Sequence, residues 1–250
     1  MPTATSSNVL IGTRAVILPR GKYVRGHAVA PAAGRTDIYT VPAGRRAIIT
    51  NHAAYRTSGT SLVYWHELNL SGTYYRLEDT RGTTSGTQYG SAPLFPILEP
   101  ADVLTINVSS GAVGTTALWW DIWEFDSNAP LSSPRGVGTL ASGDTTLYTV
   151  PSGKSALVLD GGYTGDQGSC FYVNSSGGSL NSLFHAVPSG GSAATKNRLA
   201  AAATSVTDVT RHQADMNGGN TLATGDFIVH NLSGASASSI RWTTVLELPT

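Results

Sequence analysis

Charge is scarce in this chain. Asp, Glu, Lys and Arg make up 13% of its 250 residues, in equal numbers of each sign, so the formal net charge is zero. A surface this neutral repels its own kind weakly and favours association, so burial in an assembly is expected. Cysteine is nearly absent as well: Cys170 stands alone and excludes an intramolecular disulfide framework. Its expected role is that of a small buried apolar residue. No stretch approaches the ~20 apolar residues of a membrane-spanning helix. Met1 to Ser7 lacks the basic start and apolar run of a secretory signal. No membrane partner is therefore expected.

Catalytic constellations are missing too. Gly153-Lys154-Ser155 resembles the end of a phosphate-binding loop, but the glycine needed five residues earlier is Tyr148. No Gly-X-Ser-X-Gly elbow exists to activate a serine. His27, His52, His66, His185, His212 and His230 are scattered, with no His or Cys partner at metal-ligand spacing. Glu67, Glu78 and Asp79 lie close in sequence, as a glycosidase pair would require, but exposed loop charge is the expected meaning. Asp160 to Asp166 has carboxylates among glycines, yet one such segment cannot supply six oxygens to calcium, and a surface loop is expected. No catalytic, metal or cofactor residue is assigned. The expected work is binding rather than chemistry.

What the chain does contain is a repeat. Ile38-Tyr39-Thr40-Val41-Pro42-Ala43-Gly44-Arg45-Arg46-Ala47-Ile48-Ile49 returns as Leu147-Tyr148-Thr149-Val150-Pro151-Ser152-Gly153-Lys154-Ser155-Ala156-Leu157-Val158, with six of the twelve positions identical. So long a period implies two copies of one domain by internal duplication. Proline fixes φ and glycine accepts positive φ, so Val-Pro-X-Gly reads as a tight turn between two strands. A second shared signature follows: Pro100 to Asn107 matches Thr224 to Asn231, with Ala101 where the second copy has Gly225. Asp102 and Asp226 are expected to accept backbone N–H groups at a loop corner. About 15 extra residues separate the signatures in the second copy, around Ser189 to Thr195 and the alanine run 199–203, which is expected to decorate a loop.

Short β-branched and aromatic runs between Gly/Ser/Asn clusters predict strands at 37–41, 45–51, 61–68, 73–77, 102–108 and 116–125. In the second copy they fall at 145–150, 154–159, 169–174, 226–231 and 239–248. The predicted fold is all-β: two tandem jelly-roll-like β-sandwiches, at 36–126 and 144–250, joined by a Pro/Ser/Gly-rich linker at 127–143. Alternation along the last strand puts Trp119, Trp123 and Phe125 on the core face. Trp120 then faces away with no counterpart in the second copy, either as an interface or ligand contact or packed under a loop.

Residues 1–35 lie outside both copies. They carry Arg14, Arg20, Lys22, Arg25 and Arg35, and the first carboxylate is Asp37. The segment reads as an extended basic arm, with Ala15 to Leu18 able to pair as a short strand. Apart from Tyr23 it lacks the interleaved aromatics of a nucleic-acid binder, so an acidic protein neighbour is the expected target. Arg14, Arg20, Lys22, Arg25 and Trp120 are the candidate partner-binding residues.

Tyr39 to Gly44 with Asp102 to Asn107, and Tyr148 to Gly153 with Gly225 to Asn231, resemble a recurring module of tailed-phage virion proteins. That resemblance implies jelly-roll-like sandwiches and a place among capsid decoration or cement proteins, fibres and tail accessories, often as trimers. The implied role is a homo-oligomeric partner of the major capsid protein, with a trimer favoured, at the virion's capsid surface. The alternative is a tail fibre or accessory protein binding host-surface carbohydrate, with Tyr64, Trp65, Tyr74, Tyr75 and Trp120 as its aromatic platform.

Overall fold

The computed structural model describes residues 7–11, 14–29, 32–56, 62–77, 81–83, 88–91, 96–110, 116–164, 169–174, 180–187, 209–213 and 221–250. Two compact units divide the chain, Met1–Ala129 and Pro130–Thr250. The first contains β1 Ser7–Ile11, β2 Arg14–Leu18, β3 Gly21–Val29, β4 Gly34–Thr40, β5 Arg45–Arg56, β6 Leu62–Leu70, β7 Thr73–Arg76, β8 Arg81–Thr83, β9 Gln88–Ser91, β10 Val103–Ser110 and β11 Thr116–Asp126. The second contains β12 Leu131–Ser132, β13 Arg135–Leu140, β14 Gly143–Thr149, β15 Lys154–Thr164, β16 Ser169–Asn174, β17 Leu180–Val187, β18 Val209–Gln213, β19 Thr221–Leu222, β20 Phe227–Leu232 and β21 Ser236–Pro249.

Strand order defines the architecture. The first unit has sheets β3-β11-β5-β9 and β4-β10-β6-β7, with β8 also on β6. Apart from β1 and β2, which pair with each other, the first strand β3 lies beside the last, β11, and the next, β4, beside the last but one, β10, which is the order of a jelly roll. In the second unit β12 and β13 share the place of β3, giving β12/β13-β21-β15-β18 and β14-β20-β16-β17. The chain is thus all-β, with a jelly roll in each unit.

The irregularities recur with the regularities. In the first unit the β4–β10 register skips Ile38, and in the second the β14–β20 register skips Leu147. The β5–β11 pairing skips Thr50, and the β15–β21 pairing skips Leu159. Both pairs of bulges fall at matching positions of the repeat. The shared motifs explain the corner beside them. Gly44 and Gly153 sit at φ 72° and 71°, and the Arg45 and Lys154 N–H groups close the turns onto the Pro42 and Pro151 carbonyls. Only glycine adopts this φ without steric cost.

Two readings of the sequence need correction. Residues 21–29 are not an extended arm: β3 pairs along its length with β11 and completes the first jelly roll. Residues 131–132 and 135–140 of the expected linker pair with β21 in the same way. Both strands were hidden because glycines and charges replace the apolar alternation of a strand with one buried face. Asp160–Thr164 likewise belongs to β15 rather than to a surface loop. The loop expectations for 189–195 and for the alanine run fall outside the described residues, as does the side chain of Cys170.

The face assignment of the last strand also reverses. Val245 packs in the core with Tyr148, Phe171 and Ile228 of the facing sheet. The matching face of β11 carries Leu118, Trp120, Ile122 and Glu124, all buried. Trp123 is buried from outside, where Tyr23 meets it edge-on at 4.7 Å between centroids and the Pro19 carbonyl accepts its Nε1–H at 2.8 Å. Covering by residues 18–23 conceals the outer aromatics and makes both faces look like core in sequence.

Candidate functional site

In each jelly roll the two halves of the shared motif form one hydrogen-bonded corner. The Val41 N–H donates to the Asp102 carbonyl at 2.9 Å, and Ala101 N–H to the Val41 carbonyl at 3.0 Å. Val150 N–H donates to Asp226, and Gly225 N–H to Val150, at 2.9 and 3.0 Å. The Asp102 carboxylate accepts the Glu99 N–H and Asp226 accepts the Ala223 N–H, as expected of a loop corner. Ala101 holds φ 71° where Gly225 holds 84°.

A tyrosine–glutamate pair is also common to both. Tyr39 donates to Glu124 at 2.9 Å, and Tyr148 to Glu247 at 3.1 Å. Burial and the adjacent carboxylate push both phenols above the usual range. The first unit adds cations: Lys22 Nζ and Arg45 Nε lie 3.2 and 3.1 Å from Glu124. Burial alone would raise the Glu124 carboxyl, but hydrogen bonds from Tyr39, Lys22 and Arg45 outweigh it and hold it below the ordinary range.

The candidate partner-binding residues therefore separate. Trp120 is 6% exposed and sits in the core against Gly26, whose missing Cβ leaves room for the indole. It is not a surface contact. Lys22 binds Glu124, and Arg25 holds Asp121 through Nε and Nη2 at 2.5 and 3.2 Å. In the second unit the place of this ion pair is taken by the Ser133–Thr244 hydroxyl pair at 2.7 Å. Arg20 is exposed, at the bend between β2 and β3. Arg14 opens β2, and its side chain lies outside the described residues.

The larger difference between units is the outer face of the β4-β10-β6-β7 sheet. Arg35 binds Glu67 with Nε at 2.6 Å and Nη2 at 3.3 Å, and its guanidinium lies 4.3 Å above the Tyr74 ring. Arg76 lies 4.6 Å above Trp65, whose Nε1–H donates to Glu67 at 2.8 Å. Asn107 donates to the same carboxylate at 3.1 Å. The corresponding trio in the second unit is Asp144, Tyr172 and Asn231, where Tyr172 and Asn231 both donate to the Asp144 carboxylate. No stacked arginine lies over it among the described residues. Of the aromatic platform read from sequence, Trp65 and Tyr74 are half-buried on this face, while Tyr64, Tyr75 and Trp120 are core. Glu67 is buried and ion-paired; Glu78 and Asp79 lie outside the described residues.

Sequence spacing missed one juxtaposition. His52 on β5 and His66 on β6 come from facing sheets and meet in the core with ring centroids 4.6 Å apart. Among the described residues no group of three His, Cys, Asp or Glu is placed to hold a metal. No helix among them is long and apolar enough to cross a membrane.

The strand order and the two motif corners define the class: an all-β chain of two jelly-roll units. No family model matches the chain, and no curated protein matches it. Among solved structures it is similar to the major capsid protein of bacteriophage PM2, at 10% identity over 90% of this chain and 98% of that one, with a TM-score of 0.36. It is also similar to a chain of Sulfolobus Turreted Icosahedral Virus, at 8% identity over 92% and 91%, with a TM-score of 0.35. A conserved protein of unknown function from Pseudomonas aeruginosa PAO1 aligns at 7% identity over 91% and 83%, with a TM-score of 0.27. Likeness at these scores carries no functional argument, and the fold rests on the strand order itself.

Proposed function

We propose that the chain is a structural protein of a tailed-phage virion that binds and stabilises the capsid shell as a decoration or cement subunit. Its work is contact, not catalysis. The motif corner carries this reading: the residues that resemble the virion module form the same hydrogen-bonded unit in both jelly rolls. The uncharged composition supports a surface covered by other subunits. Homo-oligomerisation, with a trimer favoured, belongs to the same reading.

The contact element is smaller than a 35-residue arm. Because β3 belongs to the jelly roll, what lies outside its strand order is the β1–β2 hairpin, whose strands pair only with each other among the described residues and whose last residue, Leu18, is buried. A lone two-stranded sheet is marginally stable in water and needs a surface to rest on. In this proposal the surface is a neighbouring capsid subunit, with Arg14 and Arg20 meeting its acidic groups. The test is rebinding to particles stripped of the protein. Full-length chain should co-sediment with them, and a chain lacking residues 1–17 should stay in solution with both units folded. Equal co-sedimentation of the two would overturn the proposal. The second reading, glycan binding, rests on Trp65 and Tyr74 at the outer face of the first unit. A glycan array with the full chain tests it, and loss of any signal in Trp65→Ala assigns the site.

A further inference from the structure

The second unit joins its two sheets through a polar pair that the first unit lacks. Arg241 on β21 faces the core and is 7% exposed. Its Nη1 lies 3.5 Å from Nδ1 of His230 on β20, in the opposite sheet. His230 is fully buried, with the Phe171 ring 4.2 Å and the Tyr163 ring 5.2 Å away between centroids. The matching positions of the first unit are Ile106 and Leu118, both buried. An apolar pair therefore closes the same fold, and the imidazole and guanidinium are additions to it.

The contact holds in one protonation state. Arginine stays charged and can only donate, so Nδ1 accepts and the neutral imidazole carries its proton on Nε2. A second proton would go to Nδ1, where it would meet a permanent cation in place of a hydrogen-bond donor. The register partners around the pair offer no offsetting charge. They are Thr145 on β14 and Phe171 on β16 for His230, and Gly136 on β13 and Tyr163 on β15 for Arg241. Tyr163 is the one titratable group among them, and among the described residues no carboxylate bonds to either side chain. Burial, reinforced by the Arg241 charge, pushes His230 down to about 3, and burial pushes Arg241 down from its ordinary value. We propose that the His230–Arg241 contact is an acid-sensitive latch between the two sheets of the second jelly roll, closed by a neutral imidazole and driven open when acid supplies the proton that the closed form refuses.

The folded-state value of His230 lies below its unfolded value of about 6.5, so its contribution is complete above that pH and is lost as pH falls toward about 3. Between about pH 7.5 and about pH 4.5 this one residue should lower the closed-to-open ratio about 100-fold. The test is hydrogen exchange of the full chain at those two pH values, read by mass spectrometry in β20 and β21 and corrected for the pH dependence of intrinsic exchange. Protection there should fall about 100-fold more in the unaltered chain than in the double variant His230→Ile, Arg241→Leu, which installs the first unit's apolar pair. Equal falls in the two proteins would overturn the proposal. A second measurement does not depend on that variant folding. By nuclear magnetic resonance, the His230 ring should titrate near about pH 3 in the unaltered chain, and Arg241→Leu should move the titration upward by removing the neighbouring charge. A ring that titrates at the ordinary value of about 6.5, or one indifferent to Arg241→Leu, would overturn the proposal as well.

Discussion

Replacing Ala101 by glycine should make the first unit more stable. Ala101 is exposed and holds φ 71°, while Gly225 holds 84° at the same corner of the second unit. The backbone hydrogen bonds around the two positions match to within 0.1 Å. The left-handed conformation costs a residue with a Cβ ~1–2 kcal/mol. Glycine's greater freedom in the unfolded chain takes back ~0.5–1 kcal/mol of that. The net expectation for Ala101→Gly is a gain of about 0.5–1 kcal/mol, and for Gly225→Ala a loss of similar size. Urea unfolding followed by tryptophan fluorescence suits the first variant, because Trp65, Trp119, Trp120 and Trp123 all lie in the first unit. Far-ultraviolet ellipticity suits the second. A neutral or destabilising Ala101→Gly, together with a harmless Gly225→Ala, would refute the claim that both corners impose one backbone geometry.

Other expectations follow from the same packing. Glu124→Gln strips a buried carboxylate from Tyr39, Lys22 and Arg45 and should cost the first unit ~2–4 kcal/mol in urea unfolding. Because the folded-state pKa of Glu124 is depressed, its contribution is fully present above the unfolded value and is lost as pH falls through the folded one. The stability of Glu124→Gln should therefore fall less steeply on acidification than that of the unaltered chain. Gly26→Ala and Gly162→Ala drive a Cβ into the indoles of Trp120 and Trp242, and each should cost ~1–3 kcal/mol by thermal melting. Deleting residues 1–29 should unfold the first unit by removing β3, whereas deleting 1–17 should not; tryptophan fluorescence separates the two outcomes.

Much of the fold was legible because local chemistry and tertiary structure agree. The strands at 45–51, 103–108 and 154–159 carry β-branched and apolar runs, and the Val-Pro-X-Gly turns carry the glycine their φ demands. Strand β3 was illegible because it is an edge strand in which Gly, Lys, Arg and His break the apolar alternation, held by backbone pairing and ion pairs, and β13 because it is an edge strand broken by Gly136 and Gly138 and held by backbone pairing. Trp120 was misread because a layer of N-terminal residues buries Trp123 from outside, so alternation no longer separates core from surface. The outer-face network of Arg35, Glu67, Trp65 and Tyr74 joins residues far apart in sequence, and only strand register brings them together. Arg241 offers no sequence signal at all. It packs against Gly136 across the strand pair and reaches His230 on the facing sheet.

The virion assignment is tested most directly by electron cryo-microscopy of intact particles. Copies of the twin jelly roll should stand on the outer capsid shell, with density for residues 7–18 seated on an adjacent subunit. Particles that carry the chain nowhere, or a leader packed wholly against its own first unit, would contradict it.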